Sequence, residues 1–291
     1  MKRSHLNLGL LVMVAGLGAT LYFTREQPPP PEPLTAMTPD AIDRVEVAHE
    51  GHPLIRLERS GTEWWLRAPV EAPADRLEVN GILTVASLPV KKRVDAGVDP
   101  AAVGLTPPTY TVTLNDQVLR FGGMEPLAFQ RYVGIGDQVV LVDDPPSAAL
   151  DADFSDLVSK QLVSTDAALQ RIEVPGMTLE KGADGWTSPE HPDAASDALV
   201  AVVEGWRTAQ AMWNAALEPG TEAPAESVTL HLADGGTRVF GIARREPQLE
   251  LVDLDYQVRR TLSRALIDTL LTLPTASTES APIAAVDDTP G

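Results

Sequence analysis

Residues 42–47 read IDRVEV, and residues 169–174 read LQRIEV. In both stretches apolar and polar side chains alternate, which is typical of a strand with one buried face. Each stretch is followed by a hairpin pattern that closes on a tryptophan, over residues 54–65 in the first case and residues 177–186 in the second. One helix and further strands then follow twice in the same order. The sequence therefore predicts two diverged copies of one module.

Each copy has one amphipathic helix after its first hairpin. In the first copy Asp75, with Glu78 three residues later, resembles a capping box, in which side chains satisfy the free N–H groups of the first turn. The predicted apolar face of this helix is Val79, Ile82, Leu83, Ala86 and Val90. The equivalent face in the second copy is Leu199, Val202, Val203, Trp206 and Trp213, whose first four members follow the spacing of one buried stripe.

The remaining strands define the predicted fold class. Hairpin patterns occur at residues 110–121 and 227–242, and further strand pairs at residues 131–142 and 249–258. Strands with one buried face suit a sheet that is covered by a helix on one side and open to water on the other. We therefore expect an α+β fold of two tandem modules, each a mostly antiparallel sheet with a helix. Whether the two sheets join edge to edge is open. Each copy ends in a predicted helix, residues 148–158 and residues 262–271.

The N-terminus predicts a membrane anchor. Residues 6–23 are almost all apolar, and this length is close to the roughly 20 residues with which a helix crosses a bilayer. Lys2 and Arg3 precede the run, which predicts a cytoplasmic N-terminus and an exported remainder. A cleaved signal peptide is the alternative. The bulky residues 21–23 (LYF) stand where a cleavage site would need small side chains, which favours the uncleaved anchor.

These patterns divide the chain into six parts. They are a cytoplasmic N-terminus (1–5), a transmembrane anchor (6–24), a Pro-rich linker (25–37), a first α+β module (38–160), a second α+β module (161–272) and a disordered acidic tail (273–291). The linker is expected to be a stiff, extended spacer because of its proline tract. The tail lacks any hydrophobic periodicity. The predicted location is the inner membrane, with a single span and the bulk in the periplasm.

Composition excludes several functions. A formal charge of -18 over 291 residues opposes binding to nucleic acid, because such binding requires Lys and Arg to neutralise phosphates. The chain has no cysteine, which excludes disulfides, thiol chemistry and lipid attachment through a cysteine. The hydrophobic content of 44% is that of a globular protein.

Short motifs in the first copy carry a resemblance to a known family. They are residues 42–45 (IDRV), Trp65-Leu66 with Pro69, residues 73–75 (PAD), Gly104-Leu105 with Pro107 or Pro108, residues 121–122 (FG), residues 132–133 (YV) and residues 140–142 (VLV). Through them the first copy resembles the family catalogued as domain of unknown function 4340. The second copy is connected to that family only by the repeat, and Val103 stands where the family often has an aromatic residue.

The resemblance implies an envelope protein with one N-terminal membrane segment. Members look like neighbours of ABC-transporter subunits related to gliding-motility auxiliary proteins, which implies a transporter-associated accessory role and partners among envelope proteins. The family provides no catalytic residues that could be assigned to positions of this chain.

Candidate metal ligands are few. His49 and His52 flank a predicted turn and could place two imidazoles near one ion, but a site needs further ligands, so an ordinary polar turn is favoured. Asp151, Asp153 and Asp156 superficially suggest calcium ligands. They lack the glycine and the closing glutamate of a calcium loop, which favours helix capping or a solvated acidic face. No metal and no cofactor is predicted.

No catalytic motif is present. The sequence has no Gly-x-Ser-x-Gly, no phosphate-binding glycine loop with Lys and no His-Glu-x-x-His. Scattered Ser, His and Asp residues do not define a triad. We therefore predict that the protein is not an enzyme.

The tryptophans and one unrepeated segment supply the candidate surface. Trp65, Trp186 and Trp206 occupy matched or stripe positions and are expected in the core, whereas Trp64 alternates with Trp65 and is expected on the exposed face. Residues 104–108 have no counterpart in the second copy. The candidate interaction surface is Trp64, Gly104, Leu105, Pro107 and Pro108.

Three functions remain open. The leading hypothesis is a non-enzymatic, membrane-anchored accessory or scaffold subunit of an envelope complex. The alternative is a module that binds a small molecule or glycan between its two copies, for which a deep apolar cleft lined by Trp64 or Trp213 would be evidence. The third is an unrecognised hydrolase of envelope polymers, which would require polar side chains from both copies to converge in one pocket.

Overall fold

A computed structural model describes residues 5, 11, 13–17, 31–95, 97–144, 150 and 153–273. Most of the predicted anchor (6–24) and almost all of the predicted tail (273–291) lie outside these residues. Leu11 and residues 13–17 are helical. Within the described ranges, no helix combines the length and the apolar character needed to cross a membrane.

The first module is a nine-stranded antiparallel sheet with its strands in the order β4-β3-β2-β1-β6-β7-β8-β9-β5. Its elements are β1 Arg44–His49, β2 Ile55–Ser60, β3 Glu63–Ala68, β4 Ala72–Pro73, α1 Arg76–Leu83, β5 Val90–Arg93, β6 Tyr110–Leu114, β7 Gln117–Met124, β8 Gln130–Ile135, β9 Gln138–Asp143 and α2 Phe154–Leu157. The core of this module lies between α1 and one face of the sheet.

The second module is an eight-stranded antiparallel sheet in the order β12-β11-β10-β14-β15-β16-β17-β13. Its elements are β10 Leu169–Val174, β11 Met177–Gly182, β12 Gly185–Thr187, α3 Ser196–Thr208, β13 Trp213–Ala216, β14 Ser227–Leu232, β15 Thr237–Arg244, β16 Leu249–Asp253, β17 Val258–Leu262 and α4 Ala265–Leu271.

The two sheets have the same connectivity. In the first sheet β1 lies between β2 and β6, and in the second β10 lies between β11 and β14. The strand directly after the helix, β5 or β13, forms one edge of each sheet. The small β4 has no counterpart in the second sheet. The prediction of mostly antiparallel sheets with few helices is confirmed. The two sheets are separate rather than continuous.

Helix α1 begins at the predicted cap. The Asp75 side chain accepts hydrogen bonds from the backbone N–H of Leu77 at 2.9 Å and of Glu78 at 3.4 Å. The helix buries Val79, Ile82 and Leu83 but ends at Leu83, so the predicted face was too long. Val90, its predicted last member, begins β5 instead.

Helix α3 packs as its stripe predicts. Its buried residues are Leu199, Val202, Val203 and Trp206. The Trp206 indole N–H donates a hydrogen bond to the Leu270 carbonyl at 2.9 Å, which fixes α4 against α3. The placement of Trp213 on this helix face is wrong. The helix ends at Thr208, and Trp213 is the first residue of β13, where 47% of its surface is exposed.

A loop covers the outer face of each sheet at equivalent glycines. A Cβ added to Gly122 would lie 2.4 Å from the Val103 carbonyl oxygen and 3.1 Å from the Leu105 side chain. A Cβ on Gly241 would lie 2.3 Å from a Pro224 ring carbon. Both glycines follow a buried phenylalanine in the third strand after the helix, β7 or β15. In both modules, the loop that precedes the hairpin (β6–β7 or β14–β15) therefore packs directly on the backbone of a glycine.

The end of the predicted linker is part of the first module. The Leu34 N–H donates to the Leu88 carbonyl at 2.7 Å, and the Val90 N–H donates to the Glu32 carbonyl at 2.8 Å. Leu34 is buried in the core of the first module. Ordered structure therefore begins by residue 32, before the predicted boundary at residue 38, because this segment pairs beside β5.

The chain between the modules is largely irregular. Within the predicted helix over residues 148–158, the structure shows helix at Leu150 and in α2 at Phe154–Leu157. Residues 157–163, here called the connector, begin with the last residue of α2 and continue without helix from residue 158. The Asp75 N–H donates to the Leu157 carbonyl at 2.7 Å. The Ser159 N–H donates to the Pro73 carbonyl at 2.8 Å. The connector is thus hydrogen-bonded to residues 73–75, from the end of β4 to the cap of α1.

Candidate functional site

The two adjacent tryptophans of β3 lie on opposite sheet faces, but their predicted roles are reversed. Trp64 is 7% exposed and belongs to the core of the first module, on the same face as Leu66. Trp65 is half-buried on the other face, with the Arg67 guanidinium 5.4 Å from its ring centroid. The expectation that Trp64 is the exposed member is therefore wrong, since alternation separates the two faces without saying which one is covered.

The segment 104–108 is mainly a packing element. Leu105 is 4% exposed, forms a bridge with Pro108, and packs on the outer face of β7. Gly104 has a φ of +70°, and a Cβ there would approach the Gly123 nitrogen to 2.9 Å, so only glycine fits. Pro107 is exposed. The structure does not bring this segment together with Trp64, because the two lie on opposite faces of the sheet.

The two histidines occupy the β1 end and the following turn. Their ring centroids are 5.9 Å apart, edge to face, and His49 stacks on Tyr110 at 5.2 Å. His49 Nε2 also contacts the Leu150 carbonyl. In the part of the chain that the structure describes, no three metal-ligating side chains come together.

The acidic stretch before α2 caps that helix. Asp153 accepts a hydrogen bond from the Ser155 N–H at 3.0 Å, and Asp156 accepts one from the Asp153 N–H at 3.2 Å, which together form a capping box. The capping interpretation of these two aspartates agrees with this geometry. Asp151 lies outside the described residues.

A cleft of about 580 Å³ lies between the two modules. Aromatic and aliphatic side chains form much of its wall, and the chain leading from the connector into β10 passes along it. The lining from the first module is Glu63, Trp64, Trp65, Pro73 and Ala74; from the intervening chain, Ser159, Gln161, Leu162, Val163, Ser164, Asp166, Ala167 and Ala168; from the second module, Leu232, Ala233, Asp234, Arg238 and Tyr256.

Among the described lining residues, the one cation, Arg238, is held by two carboxylates. Arg238 donates hydrogen bonds to Asp253 at 2.7 Å and to Asp255 at 3.1 Å. Its guanidinium also lies 3.9 Å from the centroid of the Tyr256 ring. Burial raises the pKa of the Tyr256 hydroxyl, while the charge of Arg238 opposes the rise. The charge of Arg238 is therefore compensated inside the protein.

Three exposed carboxylates contribute to the cleft lining without a cation. Across the described residues, neither Glu63, Asp166 nor Asp234 forms an ion pair. Asp166 accepts a hydrogen bond from the Ser164 hydroxyl, which lowers the pKa of this carboxyl. Asp234 accepts one from the Gly236 N–H at 2.8 Å. The cleft thus combines an apolar wall with net negative charge.

A buried ion pair stands behind the cleft. Arg260 has no exposed surface, and its Nε donates to Asp253 at 2.9 Å. Its Nη1 donates to the carbonyls of Ser159 at 2.8 Å and Gln161 at 3.4 Å, both in the connector. Its Nη2 has no hydrogen-bond partner among the described residues. Burial lowers the pKa of Arg260, and Asp253 opposes this shift.

The second module holds the connector at further points. The Asn214 side chain donates to the Val158 carbonyl at 2.8 Å and to the Ser155 carbonyl at 3.3 Å. The Ala211 N–H donates to the Lys160 carbonyl at 2.8 Å. Because the connector is also hydrogen-bonded to the first module, both modules form hydrogen bonds with the same stretch of backbone.

Sequence reasoning missed these junction residues, although a signal was present. Arg260 alternates with Val258 and Leu262 and so shares their buried face of β17. Asp253 likewise follows Leu251 on the buried face of β16. Opposite charges at two apolar-face positions of adjacent strands predict a buried pair. The cleft itself leaves no such signal, because it is lined by ordinary residues from distant segments.

Residues 64–225 match the model of one protein family, described as "Domain of unknown function (DUF4340)". The match runs from β3 of the first module through α3 and β13 of the second, so it includes the connector. The motif at residues 42–45 lies outside it. No curated protein matches the chain. No solved structure matches it either.

Proposed function

The chain belongs to the family described as domain of unknown function DUF4340, and we propose that it is a non-enzymatic accessory subunit of a cell-envelope complex. In this proposal residues 6–24 anchor it in the inner membrane with a single span, and both modules lie in the periplasm. An association with an ABC-transporter-type complex is part of the proposal and rests on the resemblance of the first module to its family.

The junction between the modules is the observation that carries this proposal. The connector is hydrogen-bonded to the first module through Asp75 and Ser159, and to the second through Arg260 and Asn214. Such a shared segment keeps two surfaces in a fixed relative position. A fixed pair of modules suits a scaffold, because a partner that contacts both loses little conformational freedom on binding.

Co-purification tests the proposal. We expect the full chain, tagged at its C-terminus and extracted from membranes in mild detergent, to retain envelope proteins. Asn214→Ala combined with Arg260→Met removes the second module's side-chain hold on the connector and is expected to reduce that retention strongly. Arg264→Met is the matched control, because this side chain is exposed and bonded only weakly, at 3.4 Å, to Glu246.

Two results would contradict the proposal. The first is repeated recovery of the wild-type chain without any other envelope protein under mild conditions. The second is undiminished recovery with the junction variant while its modules no longer hold together, since a fixed arrangement would then be irrelevant to binding.

A ligand-binding module is the second candidate, and the cleft favours it. Its volume of about 580 Å³ falls within the range of small-molecule pockets, roughly 300–1,000 Å³. It lies between the two modules and Trp64 contributes to its wall, as this hypothesis requires. The two candidates are compatible, because an accessory subunit can also hold a ligand.

A further inference from the structure

The wall of the cleft is suited to a flat apolar group. Trp64 and Trp65 of the first module and Tyr256 of the second are among its lining residues, so both modules contribute aromatic residues to it. Aromatic side chains offer large contact area with little loss of rotamer freedom. A ligand body of aryl or short alkyl character fits this lining better than a highly hydroxylated one.

The charges of the cleft favour a cation. Glu63, Asp166 and Asp234 bring three carboxylates to it, and in the described chain none of them has a cationic partner. Arg238 is the lining residue of opposite sign, but it is paired with two aspartates and stacked on Tyr256. A cleft lined by one sign of charge concentrates ions of the other sign.

We propose that the cleft binds a small organic cation, in which one ammonium group is attached to an apolar body. This inference rests on the second candidate function. The apolar body packs against the aromatic wall, and the ammonium group lies near the exposed carboxylates. An organic anion is disfavoured, because it would meet three carboxylates and no uncompensated cation among the described lining residues.

A charge series with a constant apolar body tests this inference. The probes are 2-phenylethylammonium, 2-phenylethanol and 3-phenylpropanoate, added to the full chain in nanodiscs of neutral lipid. Tryptophan emission reports binding, because two of the five tryptophans line the cleft. We expect the ammonium probe to bind at least about tenfold more tightly than the alcohol, and the carboxylate to bind most weakly.

Substitutions test whether the preference for the ammonium probe comes from the carboxylates of the cleft. Glu63→Gln, Asp166→Asn and Asp234→Asn together keep the shapes of exposed side chains, and we expect them to bring the three affinities within about twofold of each other. Asp116→Asn, Glu226→Gln and Glu246→Gln remove the same number of charges elsewhere and are expected to keep the preference. Ala233→Trp fills the cleft from an exposed position and is expected to abolish binding of every probe.

Each contrary result has a distinct meaning. Equal or tighter binding of the carboxylate, or a preference that survives the triple substitution at the cleft, overturns the cationic ligand and leaves the cleft as a binding site of other specificity. Absence of binding by any probe overturns this inference together with the ligand-binding candidate. The accessory role is judged separately, by co-purification.

Discussion

At the scale of single residues, a guanidinium group without exposed surface stands where the modules meet. Arg260 shares the buried carboxylate of Asp253 with Arg238, so that two cations face one anion. Removing ions from water costs several kcal/mol each unless hydrogen bonds and opposite charges compensate. Arg260 obtains part of that compensation from connector carbonyls. The core of the second module is thereby linked energetically to the position of the connector.

Arg260→Met should therefore be costly. We expect it to lower the free energy of unfolding by about 3–5 kcal/mol, because a buried carboxylate loses one of its partners and two carbonyls lose a donor. Arg264→Met, whose side chain is 71% exposed, should change it by less than about 1 kcal/mol. Urea unfolding followed by circular dichroism measures both. Equal effects of the two substitutions would contradict a structural role for the buried pair.

Asp156 gives the stability a pH dependence. Burial is the largest cause that raises its pKa above the ordinary 3.8, and the carboxylates of Asp153 and Glu78 add to the rise, against the Asp153 N–H and Lys160. Because the pKa of Asp156 is raised in the folded state, its neutral form makes its full contribution to stability below pH 3.8. That contribution is lost as the pH rises through the pKa of the folded state. The charged form is thus disfavoured in the folded state at neutral pH.

Asp156→Asn should consequently stabilise the protein at pH 7. The advantage over the wild type should shrink as the pH falls towards 3.8, since Asp156 then becomes neutral as well. Thermal unfolding of both proteins between pH 3 and pH 7 checks this. A difference that grows on acidification would show that the shift has the opposite sign.

At the scale of elements, both modules cover a bare glycine with different residues. Val103 and Leu105 lie over Gly122 in the first module, and Pro224 lies over Gly241 in the second. Residues 104–108, which have no counterpart in the sequence of the second copy, therefore have a counterpart in position. Packing on glycine brings the loop backbone close to the sheet and excludes any larger side chain.

Alanine at these glycines should be destabilising in both modules. Gly122→Ala and Gly241→Ala each force a methyl group to within 2.4 Å of existing atoms, and we expect a loss of about 1–3 kcal/mol. Gly123→Ala is the matched control, because its nearest neighbour would be 3.6 Å away. Chemical unfolding measures all three. If Gly241→Ala were as well tolerated as the control, the two covers would not be equivalent.

Local periodicity explains which elements could be predicted. Alternation predicts the strands of both modules, and the stripe from Leu199 to Trp206 predicts α3, because these patterns depend on neighbours in sequence. No glycine or proline lies between Thr208 and Trp213, so the sequence does not mark the end of the helix at Thr208. The connector was partly predicted as helix, because its hydrogen bonds go to residues 73–75 and 209–211, which local patterns do not reveal.

At the scale of the whole molecule, the connector determines whether the modules move as one. It has hydrogen-bonded backbone on both sides, at Asp75 and Ser159 towards the first module and at Leu162 and Ala211 towards the second. Amides held in this way open only when the surrounding structure opens. The cleft between the modules keeps its shape for the same reason.

Hydrogen exchange measures this coupling. We expect the amides of Ser159, Leu162 and Ala211 to exchange as slowly as those of central strands such as β6. In Arg260→Met, the connector amides should exchange faster while β6 is unchanged. Exchange of the wild-type connector at the rate of the exposed turn residue Asp116 would show that the modules move independently.

The pairing of Glu32 beside β5 also limits how far the protein reaches. The proposed anchor ends at residue 24, and the chain is fixed from residue 32. A polypeptide spans at most about 3.6 Å per residue, so this tether covers no more than roughly 29 Å. Under the proposed localisation, residue 32 of the first module then stays within that distance of the membrane. Partners embedded in the same bilayer meet it at high effective concentration, whereas proteins deeper in the periplasm have to approach the bilayer themselves.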